Sequence, residues 1–409
     1  MTHTIERLGH LGDGIAPGPV YAARTLPGEV IEGEVAKGRI AAPRILTPSP
    51  ERVAPPCRHY GACGGCALQH ASDAFVAGWK REVVQTALAA QGIEAEVGAP
   101  LTSTRNSRRR ATLSGRRTKK GTLVGFHGRA SGTITEIPGC TLLHPDLLAG
   151  LPACHALTLA GASRKGEMAL TLTRSDTGLD VAVTGGKPLD AQMRMELAQI
   201  AGQHDLARLS WEGELIAGAR PPVQGFGVAR VAPPPGAFLQ ATAEGQAALT
   251  DAVRRMVGPA KTVIDLFAGS GTFALPLAES AEVHAVEGDR AMLDALDRGW
   301  RTATGLKSVT TEPRDLFRRP LLPDELSRFA AAVIDPPRAG AEAQVQELAR
   351  AAVPTIAAVS CNPVTFARDA RILLAAGYTL GPVTVVDQFR WSPHVELVAA
   401  FRLAHMPQR

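Results

Sequence analysis

The chain has 409 residues, of which 45% are hydrophobic and 20% charged, and these proportions exclude a disordered or collagen-like polypeptide. At roughly 100–200 residues per domain, two or three domains are expected. The net charge of +5 is modest, no apolar run approaches the roughly 18 residues of a membrane span, and the first residues do not open like a secretory signal, so a soluble, cytoplasmic protein without a membrane partner is expected.

Residues 1–50 carry Gly9, Gly12, Gly14, Gly18 and Gly28, with short β-type runs at Val30–Ile31 and around Val35. That pattern predicts a small β-barrel. Pro48, Pro50, Pro55 and Pro56 then mark a linker. Cys57, Cys63 and Cys66 lie within ten residues, and Cys140, Cys154 and Cys361 follow further on. A secreted disulfide scaffold would be shorter and richer in cysteine, so the crowding reads as ligation of a metal or cluster in a reducing compartment. Spacing alone makes zinc the commoner fit and leaves iron–sulfur open, because thiolates hold either. Phe75, Val76, Trp79, Val83, Val84 and Leu88 predict a helix over 74–90. Between Arg105 and Arg129 nine Lys and Arg residues occur with no acidic residue among them, so the rest of the chain is slightly acidic. Such a segment suits RNA phosphates, although charge runs more often form a solvated face. Strands are predicted at 110–113, 168–172 and 179–183.

From about Glu244 the rhythm changes. Strands at 262–267, 282–287, 330–335 and 355–360 alternate with helices at 290–301, 341–352 and 364–376, which implies a parallel sheet covered on both faces. The predicted organisation is therefore 1–50, a small β-barrel; 51–240, a central α+β domain with the cysteine cluster; and 241–409, a doubly wound α/β domain.

The chemistry concentrates at strand ends in this last part. Asp265-Leu266-Phe267-Ala268-Gly269-Ser270-Gly271 ends one strand, and its glycines allow a tight turn and close approach of a ligand. Glu287 ends the next strand, where a carboxylate can accept ribose hydroxyls. This spacing does not separate a dinucleotide from S-adenosylmethionine. Asp335-Pro336-Pro337-Arg338 and Ser360-Cys361-Asn362-Pro363 end two further strands, and Glu396 follows in His394-Val395-Glu396. A thiol with a carboxylate suits methylation at C5 of a pyrimidine. The reaction needs a nucleophile at C6, for which Cys361 is the candidate, and a base for the C5 proton, for which Glu396 is the candidate. That chemistry makes S-adenosylmethionine the better fit to the glycine turn.

Cys57-x5-Cys63-x2-Cys66, Asp-Pro-Pro-Arg, Ser-Cys-Asn-Pro and His-x-Glu, in this order, resemble the RNA uracil-5-methyltransferase family, and within it the bacterial 23S ribosomal RNA branch. The resemblance implies a C-terminal Rossmann-like class I methyltransferase sheet, an N-terminal barrel of the TRAM (OB-like) kind and a central iron–sulfur loop. It makes Cys361 the nucleophile and Glu396 the proton acceptor, and it places Gln240, Phe267, Glu287 and Asp335, together with Gly269 of the turn, around S-adenosylmethionine. Asp315 falls near the adenine, and Thr272 stands where the family often has Asn. The cysteine loop implies a [4Fe–4S] cluster on Cys57, Cys63, Cys66 and Cys140, in a structural or RNA-positioning role. The implied partner is RNA, 23S rRNA before tRNA, bound by a monomer. Competing readings are a cytosine-5 methyltransferase, an amino-group methyltransferase, which would need no thiol adduct, and a non-catalytic RNA-binding iron–sulfur protein, which would need neither catalytic residue.

Overall fold

A computed structural model describes residues 1–404. Residues 1–47 form two small sheets, one of Thr2–Thr4, Val30–Glu32 and Arg44–Thr47, the other of Arg7–Leu8, Gly14–Ala16, Val20–Ala22 and Arg39–Ile40. Ile5, Ala16, Ala22, Ile31 and Ile40 fill the space between them. The run around Val35 is not a strand. Lys37 and Gly38 both take positive φ (51° and 72°), which turns the chain tightly and leaves Val35 exposed. Arg52 anchors the proline-rich connection to this part through the buried Glu29 carboxylate and the Arg24 carbonyl.

The middle part is built on a seven-stranded sheet in the order Ile134–Glu136, Gly121–His127, Arg110–Thr118, Glu167–Ser175, Gly178–Thr184, Arg208–Trp211, Glu214–Gly218. Helices Leu151–Gly161 and Ala191–Gln203 cover its apolar residues Leu113, Leu170, Val181 and Trp211. Gly161 and Gly186 are required here, because a Cβ at either would lie 1.9–2.0 Å from the Trp211 ring.

Helix Asp73–Ala89 starts where the Ser72 hydroxyl accepts the Phe75 amide hydrogen. Its Val76 and Trp79 pack with Leu8, Leu26 and Leu68, whereas Val84 and Leu88 join Ile93 and Val97 in the core of the C-terminal part. Strand Leu101–Thr102 extends the C-terminal sheet at its edge, parallel to Thr384–Asp387. The second half of this helix and the chain up to residue 102, assigned by sequence to the middle part, thus pack against the last part, while the first half of the helix packs against Leu8 and Leu26 of the N-terminal sheets.

That sheet runs Val309–Pro313, Glu282–Glu287, Thr262–Leu266, Ala331–Ile334, Thr355–Ser360, Glu396–Leu403, Thr384–Asp387. The first five strands are parallel, but Glu396–Leu403 is antiparallel to both neighbours, so the sheet is mixed rather than wholly parallel as the alternation predicts. The chain between Thr384–Asp387 and Glu396–Leu403 is too short for a helical crossover and reverses direction instead. Helices Ala243–Val257 and Arg290–Thr302 cover one face; Glu342–Arg350 and Pro363–Ala375 cover the other. Strand order reverses at Thr262–Leu266 and Ala331–Ile334, which opens a crevice at their carboxyl ends. Among the described residues no helix is long and apolar enough to cross a membrane.

Candidate active site and cysteine centre

A cavity of about 800 Å³ opens in that crevice. Gln240, Phe267, Gly269, Glu287, Asp315, Asp335, Cys361 and Glu396 all line it, so eight positions spread over more than 150 residues meet in one place. Phe267 and Gly269 adopt positive φ (63° and 55°), turning the backbone at the strand end toward the cavity. The Gly269 amide donates to Glu287 Oε2 and the Asp289 amide to Oε1, both at 3.0 Å, which fixes the carboxylate while leaving lone pairs free for a ligand. Asp315 caps its own turn, accepting from the Phe317 and Arg318 amides, and Phe317 packs against Phe267 with ring centroids 5.4 Å apart.

Cys361 sits just before a helix whose start is sequence-encoded. The Asn362 side chain accepts from the Val364 amide as N-cap, and Pro363 occupies the first turn. Asn362 Nδ2 also donates to the Arg338 carbonyl at 2.9 Å, tying the cysteine loop to the Asp335-Pro-Pro-Arg turn. The Cys361 thiol is pushed up to about 11 by burial, with the Glu396 and Asp335 charges adding to it and Arg338 opposing. Burial and two carboxylates outweigh the helix N-terminus here. Glu396, 3% exposed, and Asp335 are both held above the ordinary carboxylate range, by burial first and, for Glu396, also by the Asp335 charge.

Sequence reasoning did not single out Phe238, Met292, Phe317, Phe389 or His394 as site residues, yet all line the cavity. His394 stood in the His-x-Glu motif but was read only as the frame for Glu396; Phe238, Met292, Phe317 and Phe389 are single apolar residues that carry no motif, so nothing in the pattern marked them. Arg338 Nη2 lies 2.9 Å from the His394 ring nitrogens, and burial with the Arg338 charge lowers that imidazole to about 4, so it is neutral at pH 7.

Cys57, Cys63, Cys66 and Cys140 line a second, small and largely apolar cavity with Tyr60, Phe126 and Leu142. All are free thiols, and Cys154 is buried apart from them in helix Leu151–Gly161. The Gly65 amide donates to Cys63 Sγ at 3.3 Å. Among the described residues no group of three or more His, Cys, Asp or Glu is placed to hold a metal ion. A groove lined by Gly64, Cys66, Arg108, Arg110, Arg338, Phe389 and His394 connects the mouth of this centre to that of the larger cavity.

The basic segment between Arg105 and Arg129 behaves differently from its linear pattern. Arg109 is buried and donates to the Gln240 carbonyl (3.0 Å) and Gln246 Oε1 (2.6 Å). Arg116 pairs with Glu167, Arg129 with Asp13, and Arg105 approaches Asp73. Arg108 and Arg110 border the groove, while Lys119 and Lys120 stand exposed at a hairpin tip.

Comparison with known proteins places this architecture. Residues 302–401 match the tRNA (Uracil-5-)-methyltransferase family. An uncharacterized RNA methyltransferase of Rhizobium meliloti is 48% identical over 97% of this chain and 98% of its own length. The 23S rRNA (uracil(1939)-C(5))-methyltransferase RlmD of Halomonas elongata is 33% identical over 96% of this chain and 87% of its own. Among solved structures, the Pyrococcus abyssi tRNA (uracil-54, C5)-methyltransferase, in complex with S-adenosyl-L-homocysteine, superposes with a TM-score of 0.77 over 98% of this chain and 99% of that one, at 22% identity. The C-terminal part has the class I methyltransferase fold, and the chain is an enzyme belonging to the RNA (uracil-5-)-methyltransferase family.

Proposed function

We propose that this enzyme methylates C5 of a uridine in 23S rRNA. The observation that carries the reading is the convergence of Cys361, Glu396 and Asp335 on one cavity with the Gly269–Glu287 turn. S-adenosylmethionine, when bound, supplies an electrophilic sulfonium methyl, and Gln240, Phe267, Gly269, Glu287, Asp315 and Asp335 would surround it. The acidic lining suits a cationic ligand, and Phe267, Phe317 and Met292 offer apolar surface for an adenine.

The chain's residues divide the reaction between them. The Cys361 sulfur forms a bond to C6 of the uracil, and the electron pair moves to C5, which is then nucleophilic enough to take the methyl group. Glu396 removes the C5 proton, the C5=C6 bond re-forms and the thiolate leaves with its electron pair. Reaching C5 and C6 requires the base to be unstacked. The nearby Arg338 favours the Cys361 thiolate against burial and the two carboxylates.

In this reading Cys57, Cys63, Cys66 and Cys140, which line one small apolar cavity, would supply the thiolate ligands of a [4Fe–4S] cluster. Residues 1–50 are then a TRAM-like module, residues 51–240 bind RNA and hold the cluster, and residues 241–409 carry out catalysis. The 23S assignment leans on the RlmD relative, which aligns over nearly the whole chain. A tRNA target is the second reading, favoured by the family matched over residues 302–401. Incubation with methyl-labelled S-adenosylmethionine and separate rRNA and tRNA pools tests both. Label recovered as 5-methyluridine in 23S rRNA is expected; label confined to tRNA rejects the rRNA target, and 5-methylcytidine rejects the uridine chemistry.

A further inference from the structure

We infer that Gln388, which does not line the cavity, is a positioning residue that sets the orientation of the Gln240 amide and holds the Glu396 carboxylate. The inference rests on the proposed C5 chemistry and names the device that aligns it.

Gln388 is 1% exposed and follows strand Thr384–Asp387. Its Oε1 accepts from the Ala241 amide at 2.6 Å and its Nε2 donates to Gln240 Oε1 at 2.5 Å; its amide also lies near the Glu396 carboxylate and favours the charged form of that group. The two ends of an amide look alike by shape, but a backbone N–H can only donate. The Ala241 amide therefore requires oxygen at the near end of Gln388, and the NH2 group must face Gln240 and Glu396. With its own oxygen so engaged, Gln240 turns its NH2 toward Asp335 Oδ2, 3.4 Å away, and toward the cavity. A main-chain donor thus dictates, two side chains away, that Gln240, besides bordering the cofactor, turns N–H groups into the cavity that the base would enter. Those groups complement a uracil carbonyl oxygen and oppose the amino group of cytosine.

The surroundings hold this relay rigidly. Lys80, 0% exposed, reaches from helix Asp73–Ala89 to Asp387 Oδ1 (2.5 Å) and the Phe389 carbonyl (3.1 Å), pinning both neighbours of Gln388. Arg109 holds the Gln240 carbonyl. Gly245 leaves the room, since a Cβ there would come within 2.6 Å of Gln388 Cβ. The charged and titratable groups facing Glu396 are Asp335 and Arg338 from the Asp-Pro-Pro-Arg turn and Cys361 from its loop, with His394 two residues before it in the same wall. None of these replaces the Gln388 donor, because Asp335 repels the carboxylate and Arg338 already contacts His394.

Gln388→Glu keeps the shape and the bond from Ala241 but puts an acceptor where the NH2 group was. The full-length enzyme carrying it is assayed on an RNA with the target uridine and on one with cytidine there. A fall in kcat of about 100-fold with KM for RNA nearly unchanged is expected, since a small misplacement costs that much while the cavity lining stays intact. The acid limb of the kcat–pH profile should move to higher pH, and the ratio of uridine to cytidine methylation should drop. Gln388→Met, which loses donor and acceptor but keeps the volume, should lower kcat without that upward move as large. A pH profile and base preference like those of the parent in a folded Gln388→Glu enzyme overturn the inference. If that variant melts early, the Gln240→Ala and Gln388→Met cycle decides: effects on kcat that simply add overturn it, and a coupling of tenfold or more sustains it, a range of about 1.4 kcal/mol. An inactive Cys361→Ala enzyme alongside normal Gln388 variants would reject Gln388 alone. An active Cys361→Ala enzyme would reject the underlying chemistry.

Discussion

Two groups of cysteines in this protein occupy opposite settings. Cys361 stands at the wall of a wide cavity whose polar neighbours are Glu396, Asp335 and Arg338. The four-cysteine centre is narrow and apolar, and Tyr60, Gln69, Phe126, Ile137 and Leu142 line it beside the thiols. Burial raises the thiols in both places, Cys361 to about 11 and Cys66 to about 12. The neighbours make the difference. Around Cys361 there are groups that can take a proton or balance a charge as a reaction proceeds, whereas among the described residues no carboxylate lines the centre, and the Arg24 and Arg108 charges act on its thiols from outside the lining.

The sharpest separation of the two is Cys361→Ala, expected to cut methyl transfer by on the order of four orders of magnitude while leaving thermal stability within about 1 kcal/mol. Labelled methyl incorporation and a melting curve measure the two together; activity near that of the parent would dissolve the contrast. Glu396→Gln comes next, with turnover down about 10²–10⁴-fold. Because the adduct forms but cannot lose its C5 proton, a covalent protein–RNA band should build up on denaturing gels. The raised Glu396 and Asp335 also make a signed pH prediction. Their neutral forms are favoured in the folded state, so the stability they contribute is complete below the ordinary carboxylate range and declines as pH rises through their raised values. The rate limited by Glu396 as a base should rise over that same interval, so activity and stability move oppositely with pH.

Beneath the catalytic cavity, Lys80→Met leaves Asp387 buried without its partner and should cost about 3–5 kcal/mol in denaturant unfolding. The double change Lys80→Met with Asp387→Leu should recover much of that loss. Cys66→Ser is expected to have the smallest effect on chemistry. It should abolish visible absorption and iron content and lower the melting temperature, while the methylation rate per folded molecule changes less than tenfold. A colourless parent enzyme containing zinc would erase the cluster side of the comparison.

Much of the catalytic domain was readable without coordinates because it repeats local rules. The helix predicted over 74–90 occurs at Asp73–Ala89, and that predicted over 364–376 at Pro363–Ala375, since their caps and apolar periodicity are local properties. Turn residues at strand ends marked Gly269, Asp335 and Cys361 for the same reason. The antiparallel Glu396–Leu403 strand was not readable, because strand direction depends on a pairing that hydrophobic runs do not encode. Gln388 was equally silent: a single glutamine acquires a role only from the Ala241 amide and Gln240, nearly 150 residues earlier.

The basic segment shows where the division falls. Composition and order determined that positive charge is concentrated between Arg105 and Arg129, and that cysteine, proline and carboxylate motifs stand at strand ends, because both are properties of neighbours along the chain. Only the tertiary structure decided which charges stay available. Asp13, Asp73 and Glu167 fold against three of the arginines, and Arg109 is spent inside on the Gln240 carbonyl. Coulomb interaction and hydrogen bonding act over a few ångströms of space whatever the distance along the chain, so the count of charges was legible and their use was not.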